Sequence, residues 1–299
     1  MKNANIPGLD RIAIPKWVQK LLSQLILIYA IVGGLLFAFQ RSFLYQPMNA
    51  PQGASALRSG KAQYWRFAAP DVEKSATGSG LCDRDSSGKT GAILYLPGNA
   101  EPASMAELYR KHFQGCDLYA LDYPGYEAAP GSPSEASILM SSDAVYERMV
   151  GDGASPSRII LIGRSLGSGP AVYLASKHEC LMSALLTPYE NLGSVAYDAF
   201  PFFPAKLMTL DTFDASDRAP NARCPALFLA AENDAVVHER HAHALYKMWN
   251  QKLASGFSTN NKATHGNITD LKVTWDTIDA FAKDSQKNAQ ISNQKANNP

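Results

Sequence analysis

One stretch constrains this chain more than any other: Arg158-Ile-Ile-Leu-Ile-Gly163-Arg164-Ser165-Leu166-Gly167-Ser168-Gly169-Pro170. Arg158 to Ile162 is a short β-branched apolar run, the pattern of a strand covered on both faces. Gly163, Ser165 and Gly167 then spell G-x-S-x-G, and Ala171 to Ser176 continues as a helix. A serine on a sharp strand-to-helix turn sits in strained backbone, so the positions two before and two after it must be small. At average composition the bare pattern arises by chance in about one chain in ten of this length. The strand before it and the helix after it are what make Ser165 a candidate nucleophile rather than a residue of an ordinary turn.

The neighbouring segments repeat the alternation. Gly91 to Leu96, Cys116 to Leu121, Leu181 to Leu186 and Pro225 to Ala231 read as buried strands, with a weaker one at Ser255 to Ser258. Helices are expected over 102–113, from Pro133 to about Met149, over the stretch carrying His238, His241 and His243, and over 270–283. Ser132-Pro133-Ser134-Glu135 reads as a capping box with proline at the first helical position. Strand and helix taking turns predict an α/β fold, a mostly parallel sheet with helices on both faces. Lys61 to Ala68 and a short segment near Leu81-Cys82 read as further strands. Thr187 to Ala219 does not follow the alternation. Its Phe200-Pro-Phe-Phe-Pro204 and Leu207-Met208 make an apolar excursion that lines an acyl pocket, acts as a small lid, or packs into the core.

The partners of Ser165 are sought at the ends of the other strands. After Leu96 comes Pro97-Gly98-Asn99-Ala100, a glycine turn leading to a helix, which leaves free backbone N–H groups at the carboxyl end of the sheet. The N–H of Leu166, opening the helix after Ser165, and that of Asn99, with Ala100 next, are candidates for an oxyanion hole. Asp234 follows the Pro225 strand and is the candidate acid, with Glu190, then Asp211, Asp214 and Asp217, as substitutes. His265, in the loop Thr264-His265-Gly266, is the candidate base. His238, His241 and His243 match no metal-ligand spacing and read as a solvated helix face.

Bulk numbers narrow the classes. A net charge of +1 offers no electrostatic case for nucleic acid. The four cysteines, Cys82, Cys116, Cys180 and Cys224, show neither C-x-x-C nor zinc spacing. Neither a metal nor an organic cofactor is called for. Leu21 to Phe39 is apolar apart from Ser23 and Gln24, is closed by Arg41, and is about as long as a hydrocarbon core is thick. Phe37-Ala-Phe-Gln40 offers no small-x-small cleavage site. The reading is one uncleaved membrane span over 21–40. Four Lys/Arg residues precede it (Lys2, Arg11, Lys16, Lys20), which keeps the N-terminus cytoplasmic and exports the rest to a periplasmic or lumenal side.

Leu96-Pro-Gly-Asn-Ala100, Asp122-Tyr-Pro-Gly-Tyr126, Gly163-Arg-Ser-Leu-Gly-Ser-Gly169, Asn233-Asp-Ala-Val-Val237 and Thr264-His-Gly266 together resemble the α/β-hydrolase superfamily. The run Phe43-Leu-Tyr-Gln-Pro47 after one span resembles its membrane-anchored, serine aminopeptidase-like group. The resemblance implies an α/β-hydrolase fold with Ser165 as nucleophile, Asp234 as acid, His265 as base and the Asn99 and Leu166 amides as oxyanion hole. The chain order Ser, Asp, His is that of the superfamily. Pro97 stands where a histidine usual to the family would precede Gly-Asn. The domains expected are a cytoplasmic segment 1–20, an anchor 21–40, a linker 41–60, the hydrolase domain 61–284 and a disordered tail 285–299. The family's strand order also puts Cys180 and Cys224 before two adjacent strands, and Cys82 and Cys116 on another pair, so both pairs are candidate disulfides. The activity implied is acyl transfer from a small-molecule or lipid ester or thioester to water, at a bilayer, with the oligomeric state left open. A peptidase using Glu101 or Glu127 to hold a substrate amine, and a catalytically silent binding domain, are the alternatives.

Overall fold

The protein is described by a computed structural model covering residues 15–47, 63–68, 77–83, 91–112, 115–127 and 129–297. The chain divides into two compact units, residues 1–40 and 41–299. The first helix, α1, spans Lys16–Leu44 and carries the apolar run, so it is longer at both ends than the 21–40 expected. It is long and apolar enough to cross a membrane.

The second unit is built on one eight-stranded sheet. Its strands are β1 Gln63–Ala68, β2 Thr77–Asp83, β3 Gly91–Leu96, β4 Cys116–Asp122, β5 Ile159–Arg164, β6 Met182–Leu186, β7 Ala226–Ala231 and β8 Gly256–Asn260. The spatial order is β1-β2-β4-β3-β5-β6-β7-β8. The six strands from β4 to β8 in that order are parallel, while β1 and β2 run antiparallel at one edge. Successive side chains point to opposite faces, and each face has its own core. Leu94, Leu96 and Leu161 pack on one side, and Ile93, Tyr95, Ile160 and Ile162 on the other. Burying such a side chain stabilises the fold by roughly 1.5–3 kcal/mol, which is why strands covered on both faces read as unbroken apolar runs.

The chain steps from β3 to β4 on one side and then returns to β5 on the other, so the direction of winding reverses between β3 and β5. Loops leaving these two neighbours diverge and open a crevice at their carboxyl ends. The register aligns Leu96 with Gly163 and so sets the loop after β3 beside the turn after β5.

The helices of this unit are α2 Ala106–Tyr109, α3 Glu135–Gly151, α4 Ser168–Lys177, α5 Leu192–Ala199, α6 Ala205–Met208, α7 Ala215–Arg218, α8 Glu239–Met248 and α9 Lys272–Asn297. Several depart from the sequence expectation. The helix expected over 102–113 is a single α-turn flanked by 3-10 turns at Ala103–Met105 and Arg110–His112. The capping box of α3 is formed by Ser134 and Ser137, two residues later than the Ser132 reading, because Ser134 is the residue with extended backbone. The tail expected to be disordered from 285 is helical to Asn297. Residues 272–297 contain neither glycine nor proline, and Ser285 is buried, so nothing local stops α9 where its apolar pattern fades. The expected linker 41–60 begins with residues docked on the domain: Tyr45 is buried in the core. Residues 48–60 of that linker lie outside the described residues, as do 1–14, 69–76 and 84–90.

Cys180 and Cys224, just ahead of the adjacent strands β6 and β7, form a disulfide with Cα atoms 5.6 Å apart. The second expected pair involves the Cys82 side chain, which lies outside the described residues.

Candidate active site

β5 delivers Ser165 on a tight turn. Its φ of +48° is left-handed backbone, which costs a non-glycine residue about 1–3 kcal/mol. The flanking glycines make the turn possible. A Cβ on Gly167 would stand 2.0 Å from the Leu96 carbonyl oxygen, and one on Gly163 would stand 2.5 Å from the Gly167 oxygen. The Ser168 hydroxyl donates to the Ser165 carbonyl at 2.7 Å, and the Tyr189 hydroxyl to that of Leu166 at 3.1 Å. These two bonds fasten the turn to the start of α4 and to the loop after β6.

The three residues expected to act together are within hydrogen-bonding distance. Ser165 Oγ lies 2.9 Å from His265 Nε2, and His265 Nδ1 lies 2.8 Å from Asp234 Oδ2. The other carboxylate oxygen of Asp234 accepts the N–H groups of Val236 and Val237, each at 2.8 Å. Those bonds fix the carboxylate plane. The Asp234 side chain is 1% exposed and that of His265 20%, so the relay runs from a buried acid to an accessible edge. The substitutes for Asp234 are engaged elsewhere. Glu190 accepts from His241, Asp211 pairs with Arg41, and Asp214 caps α7; Asp217 lies in the first turn of α7.

Across the crevice, the loop after β3 carries Asn99, whose N–H makes no hydrogen bond among the described residues. Leu166 stands in the first turn after β5, where N–H groups have no intrahelical partner. Without the family's histidine, the loop is held from several sides. The Tyr123 hydroxyl donates to the Pro97 carbonyl at 2.7 Å, and the Gly98 N–H to Glu101 Oε2 at 2.7 Å. Ala100, at φ +57°, is a second left-handed residue.

Two residues of this site escaped their sequence reading. Glu101, weighed as a ligand for a substrate amine, is 5% exposed and fully engaged. It accepts from the Tyr95 hydroxyl at 2.8 Å and pairs with Arg164 at 3.0 Å. Arg164, the residue before the serine, also donates to the carbonyls of His265 (3.2 Å) and Gly266 (3.1 Å). One guanidinium thus ties the loop after β3, the serine turn and the histidine loop together. Burial works against its charge, but Glu101 together with Tyr95 and Tyr109 outweighs burial and leaves the Arg164 pKa raised. Opposite charges at the ends of two neighbouring strands were the available signal, though only the strand order makes them neighbours.

His241 departs from the solvated face expected of it. Its ring is buried between Glu190 (2.8 Å) and Asp198 (2.7 Å), which joins α8 to α5 in the excursion after β6. The ends of the excursion join the core through Tyr189, Leu192 and Phe213, while its middle does not: Phe202 and Leu207 are 86% and 89% exposed.

A parallel sheet with its winding reversal at β3/β5, a strained serine after β5 and an acid–histidine pair from the β7 and β8 loops define an α/β-hydrolase architecture. The sequence model of the Alpha/beta hydrolase family matches residues 93–282. The chain belongs to that family. It is 30% identical over 203 residues to the uncharacterized protein Rv2307c of Mycobacterium tuberculosis, an alignment covering 66% of this chain and 71% of the relative. It is 34% identical over 133 residues to mouse alpha/beta hydrolase domain-containing protein 17C, covering 44% of this chain and 40% of that protein. Among solved structures, the Pyrococcus furiosus esterase Pf2001 superposes with a TM-score of 0.62 at 13% identity, over 80% of this chain and 96% of the esterase. The Pyrococcus horikoshii acylaminoacyl peptidase superposes with a TM-score of 0.58 at 12% identity, over 78% of this chain and 43% of the peptidase. At these identities the structural likeness is one of fold.

Proposed function

We propose that the protein is a serine hydrolase, anchored in a membrane by α1, that cleaves an ester or thioester of acyl or lipid type. The observation that carries the reading is the unbroken run of hydrogen bonds from Ser165 Oγ through His265 to the buried Asp234. His265 Nε2 takes the proton of Ser165 as Oγ attacks the carbonyl carbon. The oxygen, now negative, is received by the N–H groups of Asn99 and Leu166, while Asp234 stabilises the imidazolium. His265 then gives its proton to the leaving oxygen or sulfur. A water deprotonated by the same nitrogen attacks the acyl-enzyme and releases the acid.

Two observations bear on the substrate class and a third on topology. Phe200, Phe202, Leu207 and Leu210 are exposed on the excursion after β6, an apolar surface suited to an acyl chain. The Glu101 carboxylate is committed to Arg164 and Tyr95, which weighs against an aminopeptidase that would need it for a substrate ammonium. The basic residues ahead of the apolar run (Lys2, Arg11, Lys16, Lys20) favour a cytoplasmic N-terminus and an exported hydrolase domain. The test is fluorophosphonate labelling of the detergent-solubilised protein beside Ser165→Ala and His265→Ala. Labelling of the wild type that disappears in both variants is expected. A cooperatively melting wild type that does not label would overturn the reading in favour of a silent binding domain.

A further inference from the structure

The Asn99 side chain is bonded to a part of the chain far from it in sequence. Its Nδ2 donates to the Leu44 carbonyl at 2.6 Å, and its Oδ1 accepts the Gln46 N–H at 3.0 Å and the Tyr126 hydroxyl at 2.7 Å. The same oxygen accepts the N–H of Ala100 at 3.1 Å and so braces the left-handed turn next door. The amide orientation is set by this network, because Oδ1 faces donors and Nδ2 faces a carbonyl. Leu44 is the last residue of α1, and Tyr45, between the two contacts, is 3% exposed. One turn earlier, Arg41 Nε and Nη2 grip both oxygens of Asp211 at 2.8 and 3.1 Å. The segment 41–46 is therefore held at both ends, and one of its holds is Asn99, whose own N–H makes no hydrogen bond among the described residues.

A strained turn persists only where its surroundings over-determine it. Around Ala100 those surroundings are the Asn99 side chain and whatever fixes that side chain in turn. Two of the three distant bonds on it come from the end of α1. We propose that Leu44–Gln46, the exit of the N-terminal helix, is a positioning element of the oxyanion site, acting through the Asn99 side chain on the Asn99 peptide. Asn99 is then doubly employed, its backbone toward the reacting oxygen and its side chain toward the helix end. The inference rests on the serine-hydrolase reading and deepens it: residues 44–46 tune the chemistry, with no contact to the substrate.

The test uses the full-length solubilised protein, with hydrolysis of a p-nitrophenyl ester normalised to sites titrated by the fluorophosphonate. Gln46→Pro removes the N–H that Asn99 accepts, and also fixes φ at 46 and restricts Tyr45 before it, so its melt is read beside its kcat. Asn99→Asp keeps an acceptor for Gln46 and Tyr126 but sets a carboxylate against the Leu44 carbonyl. A misplaced oxyanion donor costs part of the hundredfold or more that losing one costs, so each variant is expected to lower kcat about tenfold or more. KM stays near the wild-type value and the melt stays cooperative. The double variant is expected to be no slower than the slower single one, because both changes act through one side chain. A merely structural contact would lower Tm and leave kcat per titrated site within twofold of wild type, and that result overturns the proposal. Independent, multiplying losses in the double variant would overturn it as well. If Gln46→Pro loses its cooperative melt, Asn99→Asp and Tyr126→Phe decide the question by the same kcat criterion. A wild type that never labels removes the hydrolase reading and this inference together, whereas normal labelling with unaffected variants removes the inference alone.

Discussion

The turn after β5 and the loop after β3 lie side by side across the crevice, yet they are built differently. The turn after β5 is made largely by its own residues, with the Tyr189 hydroxyl bracing the Leu166 carbonyl from the loop after β6. Gly163 and Gly167 clear the space, Ser165 takes the left-handed backbone, and Ser168 closes the turn on the Ser165 carbonyl. The loop after β3 is made by residues from elsewhere. Tyr123 holds Pro97, Arg164 holds Glu101, and Leu44, Gln46 and Tyr126 hold Asn99. One half of the site is thus a property of a short peptide, and the other half a property of the folded domain. The difference teaches where each half is vulnerable: the first to substitutions within the motif, the second to changes many residues away.

The largest expected effect comes from the acid behind the serine, Asp234 in the loop after β7. In Asp234→Asn the carboxamide oxygen turns toward the Val236 and Val237 N–H groups, and its NH2 group then faces His265 Nδ1. The imidazole is pushed into the wrong tautomer, and kcat falls on the order of 10⁴-fold with little change in Tm. A pre-steady-state burst assay with a thermal melt reads both. A large loss of stability in this variant would mean that the acid is a structural brace, and the contrast between the two halves would blur.

A smaller effect, of a different kind, is expected across the crevice. Glu101→Gln leaves Arg164 buried without its counter-charge, a change that costs roughly 3–5 kcal/mol of stability. In a domain of this size that lowers Tm by about 10 °C. Arg164→Met on the Glu101→Gln background should recover part of the loss, because the unpaired charge is then gone. A Glu101→Gln protein as stable as wild type would show that Arg164 finds its support on the histidine loop alone.

The smallest expected effect concerns the excursion. Burial opposes the charge on His241, but its hydrogen bonds to Glu190 and Asp198 outweigh burial and raise its pKa above 6.5. Burial likewise raises that of Asp198, but His241 and Arg240 overcome it and lower it. A histidine with a raised folded-state pKa contributes stability that is fully present below 6.5 and lost as pH climbs through the raised value. Above pH 6.5 the wild-type Tm should therefore fall more steeply with pH than that of His241→Gln. Parallel curves would mean that the ring is held neutral.

The elements legible beforehand share a physical character. Buried parallel strands announce themselves as β-branched runs, and the serine turn as two glycines at a fixed offset, because both arise from sterics within a few residues. The order of Ser165, Asp234 and His265 was readable because each sits just beyond a strand or in a loop between elements. Other features were not legible. Glu101 looked like a ligand for substrate until β3 and β5 were neighbours, and His241 looked solvated until Asp198 came round from α5. Residues 41–46 looked like slack chain until Tyr45 met the core.

The amino-acid sequence by itself determined the parallel sheet, the strained serine and which acid and histidine stand in chain order behind it, since these depend on local backbone geometry and burial patterns. Only the tertiary structure decided what holds the loop after β3. Arg164 and Glu101, and Asn99 and Leu44, meet through single hydrogen bonds and ion pairs between distant residues, and such a bond leaves no periodicity or spacing for a reader to find.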